Sequence, residues 1–260
     1  RLAPYDRVTI VLVGCGGTGS HLATGLAAIV LELTARGTPC GLTLVDPDRV
    51  ERKNIGRQLF GPADIGRNKA DVLAERLRLA YRIPAGAIPE RFSAGLISDT
   101  PAGIVVIVGA VDNPAARAEI AAAVERGRGR VWVIDSGNEN HSGQVLIGNC
   151  ADKNAFHDCA PLGLLDSLPS PYLVMPDLVK APKHKPRQSQ SCADLTESGE
   201  QGLMVNRMMA AWTLSILNDF LLGQLRYFGV CVDLKFGGLK SYPIDRTTLA
   251  EVSGAKQSKA

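Results

Sequence analysis

The feature that most constrains this chain is a glycine-rich turn, Gly14-Cys15-Gly16-Gly17-Thr18-Gly19-Ser20, set between a β-favouring run and a long apolar stretch. Val8, Thr9, Ile10, Val11 and Val13 favour a strand, and His21 to Thr34 reads as a helix. The first turn of such a helix leaves backbone N–H groups without intrahelical partners, and here they face the glycines. Where side chains are missing, phosphate oxygens can lie against those amides, and the helix dipole adds partial positive charge. Gly14, Gly16 and Gly19 satisfy the spacing G-x-G-x-x-G, which alone is a weak signal. Context strengthens it. A second strand, Leu42 to Val45, ends in Asp46, a carboxylate suited to accepting hydrogen bonds from ribose hydroxyls. A nucleotide site is therefore expected, the alternative being a tight turn that binds nothing. A P-loop is excluded, because Ser20 stands where its lysine is required.

Further strand and helix signals alternate along the chain: a helix over Arg67 to Tyr81, a strand over Ile104 to Val108, a helix over Ala115 to Arg126 and a strand over Val131 to Ile134. Alternation with largely apolar strands predicts an α/β fold, a doubly wound, Rossmann-like and mostly parallel sheet whose ligands bind at the strands' carboxyl ends. Gln144 to Ile147 and Val230 to Leu234 are expected to extend the sheet in antiparallel fashion. No Ser/Gly-rich linker divides the chain, so one domain over 1–260 is expected. Ala160 to Ser191 carries six prolines and is expected to be a long crossover loop, 160–191, without periodic structure. Leu203 to Leu222 reads as a helix apolar nearly all round, buried on the sheet or at a subunit interface. The polar tail 247–260 is expected to fray.

Charge excludes little. With 29 Lys and Arg against 26 Asp and Glu, the net +3 gives no argument for a nucleic-acid partner. Nothing resembles a signal peptide or membrane span, so a soluble, cytoplasmic protein is expected, although the sequence opens on Arg1 and reads as trimmed at its N-terminus. Cysteines at 15, 40, 150, 159, 192 and 231 form no C-x-x-C pair and read as reduced thiols.

The run after the second strand narrows the chemistry. A dehydrogenase needs only the carboxylate at that strand end, yet Asp48, Asn54, Arg57, Gln58 and Lys69 follow. Arg57 and Lys69 flank a glycine-bounded turn, Gly61 to Gly66, and could converge on a triphosphate, where fixed cations would offset charge developing on phosphate oxygens. Past the strand Ile104 to Val108 stands Asp112, suited to hold Mg²⁺ on phosphates. Its alternative reading is a helix cap before Asn113-Pro114.

These residues carry a resemblance to the ThiF/MoeB superfamily, bacterial relatives of ubiquitin-activating enzymes. The likeness rests on Gly14-x-Gly16-Gly17-x-Gly19-Ser20, Asp46-x-Asp48-x-Val50, Asn54-x-x-Arg57-Gln58, Gly66-x-x-Lys69, Asp112-Asn113, Ser136-Gly137 and Gly143-Gln144-Val145, in family order over roughly the first 150 residues. Asp135-x-Gly137-Asn138, Ser191-Cys192 and Asn206 make it most similar to the ThiF-like proteins of PRTRC systems. The resemblance implies an ATP- and Mg²⁺-dependent adenylyltransferase that activates the C-terminal carboxylate of a small ubiquitin-like protein, acting as a homodimer. It implies that the glycine loop and Asp48 contribute to the nucleotide site, that Asp46 binds ribose, that Asn54, Arg57 and Lys69 bind phosphates with Gln58 in support, and that Asp112 binds Mg²⁺. Arg57, Lys69 and Asp112 would then be catalytic, with no general base.

Cys192 occupies the place where some members carry an acyl-accepting cysteine, among Lys180, Lys183, Lys185 and Arg187, and is a candidate for thioester transfer. Cys15 reads as a small filler. Zinc is not expected, because Cys159 has only His157 beside it. Arg1 and Arg7 stand in no motif that would let one cross a dimer to the partner's ATP. Three other functions stay open: an NAD-dependent oxidoreductase, an adenylating enzyme with a small-molecule, peptide or tRNA acceptor, and a non-catalytic docking subunit.

Overall fold

The computed structural model describes residues 5–97, 103–152, 167–180 and 204–253. Its centre is an eight-stranded sheet of β1 (Val8–Val13), β2 (Cys40–Val45), β3 (Ala85–Ile88), β4 (Ile104–Gly109), β5 (Val131–Asn138), β6 (Ser142–Gly148), β7 (Tyr227–Asp233) and β8 (Gly238–Pro243). They lie in the order β3-β2-β1-β4-β5-β6-β7-β8. Neighbours from β3 to β5 pair in parallel, and β5 to β8 pair antiparallel. The expected doubly wound architecture with an antiparallel extension is the one observed.

Two hydrophobic clusters explain why the central strands read as unbroken apolar runs. Val8, Ile10 and Leu12 of β1 face one cluster, with Leu22 and Leu26 of α1 (Gly17–Ala35), Leu73 and Leu77 of α2 (Lys69–Tyr81), and Met209, Ile216 and Phe220 of α5 (Val205–Leu221). Val11 and Val13 face the other, with Ile120 and Val124 of α3 (Pro114–Arg126) and Tyr172 of α4 (Pro171–Val174). With both faces covered, alternation in hydropathy vanishes. The chain leaves β1 toward β2 on one side and returns to β4 on the other, so a switch point lies between β1 and β4, where open α/β sheets place their ligands.

Element ends differ from expectation at caps. The helix expected from Arg67 starts at Lys69, because Asn68 is non-helical (φ −66°, ψ 141°) and its side chain accepts from the Asp71 amide. The segment expected to lack periodic structure contains, within 167–180, a bridge between Cys150 and Pro169, the single-turn α4 and a 3₁₀ turn, Pro176–Val179. Leu168 and Tyr172 anchor it in the core. Of the tail expected to fray, the part up to Ser253 belongs to α6 (Arg246–Ser253), whose Leu249 and Val252 pack on the larger cluster, while 254–260 lie outside the described residues. α5 is less uniformly buried than its composition suggests: Met204 just before it and Met208 within it are exposed. β3 and β8 were not anticipated.

Candidate active site

A cleft of about 460 Å³ opens at the switch point. Its floor is the glycine turn. Gly14 has φ +91°, and a side chain there would bring Cβ within 2.5 Å of the Ala110 carbonyl oxygen on the β4 side. Gly19 packs α1 onto the turn: its Cβ would lie 1.8 Å from the Gly14 oxygen. The N-terminus of α1 has no side-chain cap at Gly16 and no acidic residue in its first turn. Gly16, Gly17 and Thr18 line the cleft, so uncapped amides and the positive dipole end face into it.

Asp46 closes the turn from β2. Its carboxylate accepts from the Cys15 amide at 2.5 Å and the Asp48 amide at 2.8 Å. Burial raises its proton affinity above the usual carboxylate value, while those two amides and Lys69 pull the other way. Each oxygen keeps a second lone pair. Burial lifts Cys15 well above the usual thiol range and pushes Cys40 to about 12, so both are inert at neutral pH.

Lys69 opens α2, lines the cleft and holds Asp48 at 3.1 Å. The pair is asymmetric, with the lysine side chain 9% exposed and the aspartate 65%, so the cation is fixed while its partner stays in water. Asn68, which the sequence reading passed over, positions both. Its Nδ2 donates to the backbone oxygens of Asp46 at 2.8 Å and Asp48 at 3.0 Å, while Oδ1 caps α2 at 3.1 Å. The cap pattern before Asp71 was its visible signal. Asn68→Ala is expected to cost about 1–2 kcal/mol, as a lost cap does, and to weaken nucleotide binding because two strand-end carbonyls lose their anchor; urea unfolding and nucleotide titration check the two effects.

Asn54 and Gln58 also line the cleft. Asn54 is buried and accepts from the Glu51 amide at 2.8 Å. The Gln58 Oε1 is buried with no hydrogen-bond partner, an acceptor suited to a ligand's donor. Asp112 and Asn113 follow β4 on the opposite wall. Asn113, not Asp112, caps α3, its side chain accepting from Ala116 at 2.8 Å. The alternative reading of Asp112 as the cap is thereby removed. Gly14, Gly16, Gly17, Asp46, Asp48, Asn54, Gln58, Lys69 and Asp112 therefore meet around one cleft. Gly19 and Arg57 are not among its lining residues; the Arg57 carbonyl is bonded by His21 Nε2 at 3.3 Å. Cys192, Cys159 and His157 lie outside the described residues.

The cleft continues along a wall to which the motifs gave no role. Arg117 of α3 reaches Asp135 of β5 at 3.1 Å, and the Tyr172 hydroxyl donates to the same carboxylate at 3.2 Å. Burial raises the proton affinity of Asp135, opposed by Arg117. On the other face of β5, the Thr18 hydroxyl lies 3.3 Å from Asn138 Oδ1 and 3.2 Å from Asn206 Oδ1. Among the described residues no group of three or more His, Cys, Asp or Glu could hold a metal by itself, and no helix is long and apolar enough to cross a membrane.

Comparison with known proteins agrees with this fold. The family described as "ThiF family" matches residues 5–231. The chain is 35% identical over 116 residues to the sulfur carrier protein ThiS adenylyltransferase of Escherichia coli K12, covering 44% of this chain and 43% of that protein. It is 44% identical over 73 residues to human ubiquitin-like modifier-activating enzyme 7, covering 28% of this chain and 7% of the relative. The chain thus spans less than half the length of these relatives. The crystal structure of E. coli MccB with ATP superposes with a TM-score of 0.57 at 18% identity, over 92% of this chain and 64% of that one, a likeness of fold.

Proposed function

The chain belongs to the ThiF family, and on that premise we propose that it adenylates the C-terminal carboxylate of a small ubiquitin-like protein with ATP, releasing pyrophosphate. The observation that carries the reading is the convergence, in one cleft beyond the carboxyl ends of β1 and β2, of the uncapped amides of α1 and the buried Lys69. An NAD enzyme needs no buried lysine there. In this reading Asp46 orients the ribose through its spare lone pairs, Gln58 accepts from the nucleoside, and the α1 amides and Lys69 hold the phosphates. Asn54 shapes the adjoining turn, and Arg57, which does not line the cleft, keeps a phosphate-binding role only on the strength of the family resemblance. Asp112 lines the same cleft as Lys69 and the α1 amides, and a lone carboxylate there would hold Mg²⁺ together with phosphate oxygens, as that ion prefers. Bound there, the ion would neutralise charge on the departing pyrophosphate. The protein's share of catalysis is positioning and charge compensation.

The whole chain, 1–260, is read as one adenylation domain, cytoplasmic and homodimeric, and as kin to the PRTRC ThiF-like proteins. Pyrophosphate exchange tests the reading: labelled pyrophosphate should enter ATP only when a ubiquitin-like protein with a free C-terminus is present. Exchange with none of the candidate partners, together with NAD rather than ATP raising the melting temperature, overturns it. A second step, transfer to Cys192, is proposed on sequence grounds. Cys192→Ala should keep exchange and lose any thiol-labile adduct on a non-reducing gel; an adduct that persists removes Cys192 from the path.

A further inference from the structure

Two orphaned donors lie on the wall of β5. Ser136 is 3% exposed, lines the cleft, and its Oγ has no hydrogen-bond partner. Asn138 also lines the cleft, and its Nδ2 is buried without a partner. Native proteins rarely leave such groups unmet, because each forfeits its hydration for nothing in return. The single Thr18 hydroxyl proton is shared between Asn138 Oδ1 at 3.3 Å and Asn206 Oδ1 at 3.2 Å, and with Oδ1 on that side the Asn138 amide turns its NH₂ away from the contact. The amide of Asn206 is itself fixed against α1, where only a glycine fits: a Cβ at Gly17 would lie 2.7 Å from Asn206 Nδ2.

The backbone here is also half open. Parallel pairing of β4 with β5 ends at Gly109 opposite Asp135, whereas β5 runs on beside β6 to Asn138 opposite Gly143. Residues 136–138 thus pass beyond the end of β4 with a strand on one flank only, and the cleft is on the other. Thr18, in the first turn of α1, ties this segment to the uncapped amides. A group held at Ser136 and Asn138 therefore sits beside any phosphate held at α1.

We infer that Ser136 and Asn138 form the acyl subsite of this cleft: their hydroxyl and amide N–H groups grip the terminal carboxylate of an extended polypeptide tail lying along residues 136–138 and deliver it to the α-phosphate. This rests on the adenylation reading above. In the step itself one carboxylate oxygen forms a bond to the α-phosphorus, the bond from that phosphorus to the bridging oxygen breaks, and pyrophosphate leaves with the electron pair. The two donors face an acceptor throughout, first the carboxylate and then the carbonyl and remaining oxygen of the mixed anhydride. Phosphate is the competing anion for the same donors, and the test separates the two.

The probes are ATP and a non-hydrolysable acyl-adenylate mimic, glycylglycyl-sulfamoyl adenosine, titrated into wild type, Ser136→Ala and Asn138→Leu. Each variant should bind ATP as wild type does and lose roughly tenfold or more in affinity for the mimic, as expected for a hydrogen bond to a polar acyl group in a closed site. Ser136→Ala removes a hydroxyl with no partner, so its melting temperature should not fall, which separates a binding loss from misfolding. Equal losses for ATP and mimic would assign the donors to phosphate and overturn the acyl subsite, as would unchanged affinity for the mimic. Wild-type protein that binds neither probe would overturn the adenylation reading itself.

Discussion

Asp112→Ala is expected to cut ATP–pyrophosphate exchange by roughly 10²–10³-fold, the scale on which removing a group aimed at developing charge slows a reaction. Stability should change by no more than about 1 kcal/mol, the scale of a contact made by an exposed side chain, because Asp112 is exposed and Asn113 performs the capping of α3. ATP should still bind, since the α1 amides, Lys69 and Asp46 stand on other elements. Asp112→Asn separates charge from shape: it keeps the size, loses the negative charge a divalent cation needs, and should be nearly as impaired. Raising Mg²⁺ should restore part of the exchange to the Asp112→Asn variant, which keeps an oxygen for the ion, and little to the alanine variant. Near-normal exchange by the alanine variant would remove Asp112 from the chemistry. Exchange lost together with ATP binding would make it a nucleotide ligand instead.

What could be read from residue order divides along a physical line. The central strands announced themselves because they are buried on both faces and so are apolar throughout; Val105 to Val108 is the clearest case. β3, Ala-Gly-Ala-Ile, carries too little side chain to register, and β8, Gly-Leu-Lys-Ser-Tyr-Pro, is almost wholly exposed and owes its shape to pairing with β7. Propensity is silent where neighbours decide. The nucleotide half of the cleft was legible for a related reason. Glycines, strand-end carboxylates and Lys69 lie within about one β-α-β unit, where spacing translates directly into position. The other half was not. Thr18 meets Asn138 and Asn206 across sequence separations of 120 and 188 residues, and Asp135 is met by Arg117 and Tyr172, the three on separate elements. Ser136, Asn138 and Asn206 stood within quoted motifs, but only the fold reveals that two of them are donors lacking partners.

Gly19→Ala is expected to have the largest effect on folding, a loss of more than about 3 kcal/mol, a large share of the stability of a typical domain. Two opposing terms decide the sign. Alanine in a helix interior is worth roughly 1 kcal/mol over glycine, and Gly19 lies inside α1. Against this, the new Cβ would stand 1.8 Å from the Gly14 carbonyl oxygen and 3.6 Å from the Ala110 side chain. A backbone oxygen has no rotamer to escape into. Gly14 itself is pinned, with its amide bonded to Val45 at 2.9 Å and its positive φ set by the turn, so the strain can be relieved only by lifting α1 off the sheet. That movement breaks packing of Leu22 and Leu26 over β1, the kind of core disruption that outweighs any gain in propensity. Gly41→Ala is the control: β2 offers open space at that position, and its effect should stay within about 0.5 kcal/mol. Urea unfolding of the two variants measures both numbers. Gly19→Ala within about 1 kcal/mol of wild type, on the order of its helix-propensity gain alone, would mean that α1 and the glycine turn are not locked together, and with that the rigid amide cradle for phosphate would go.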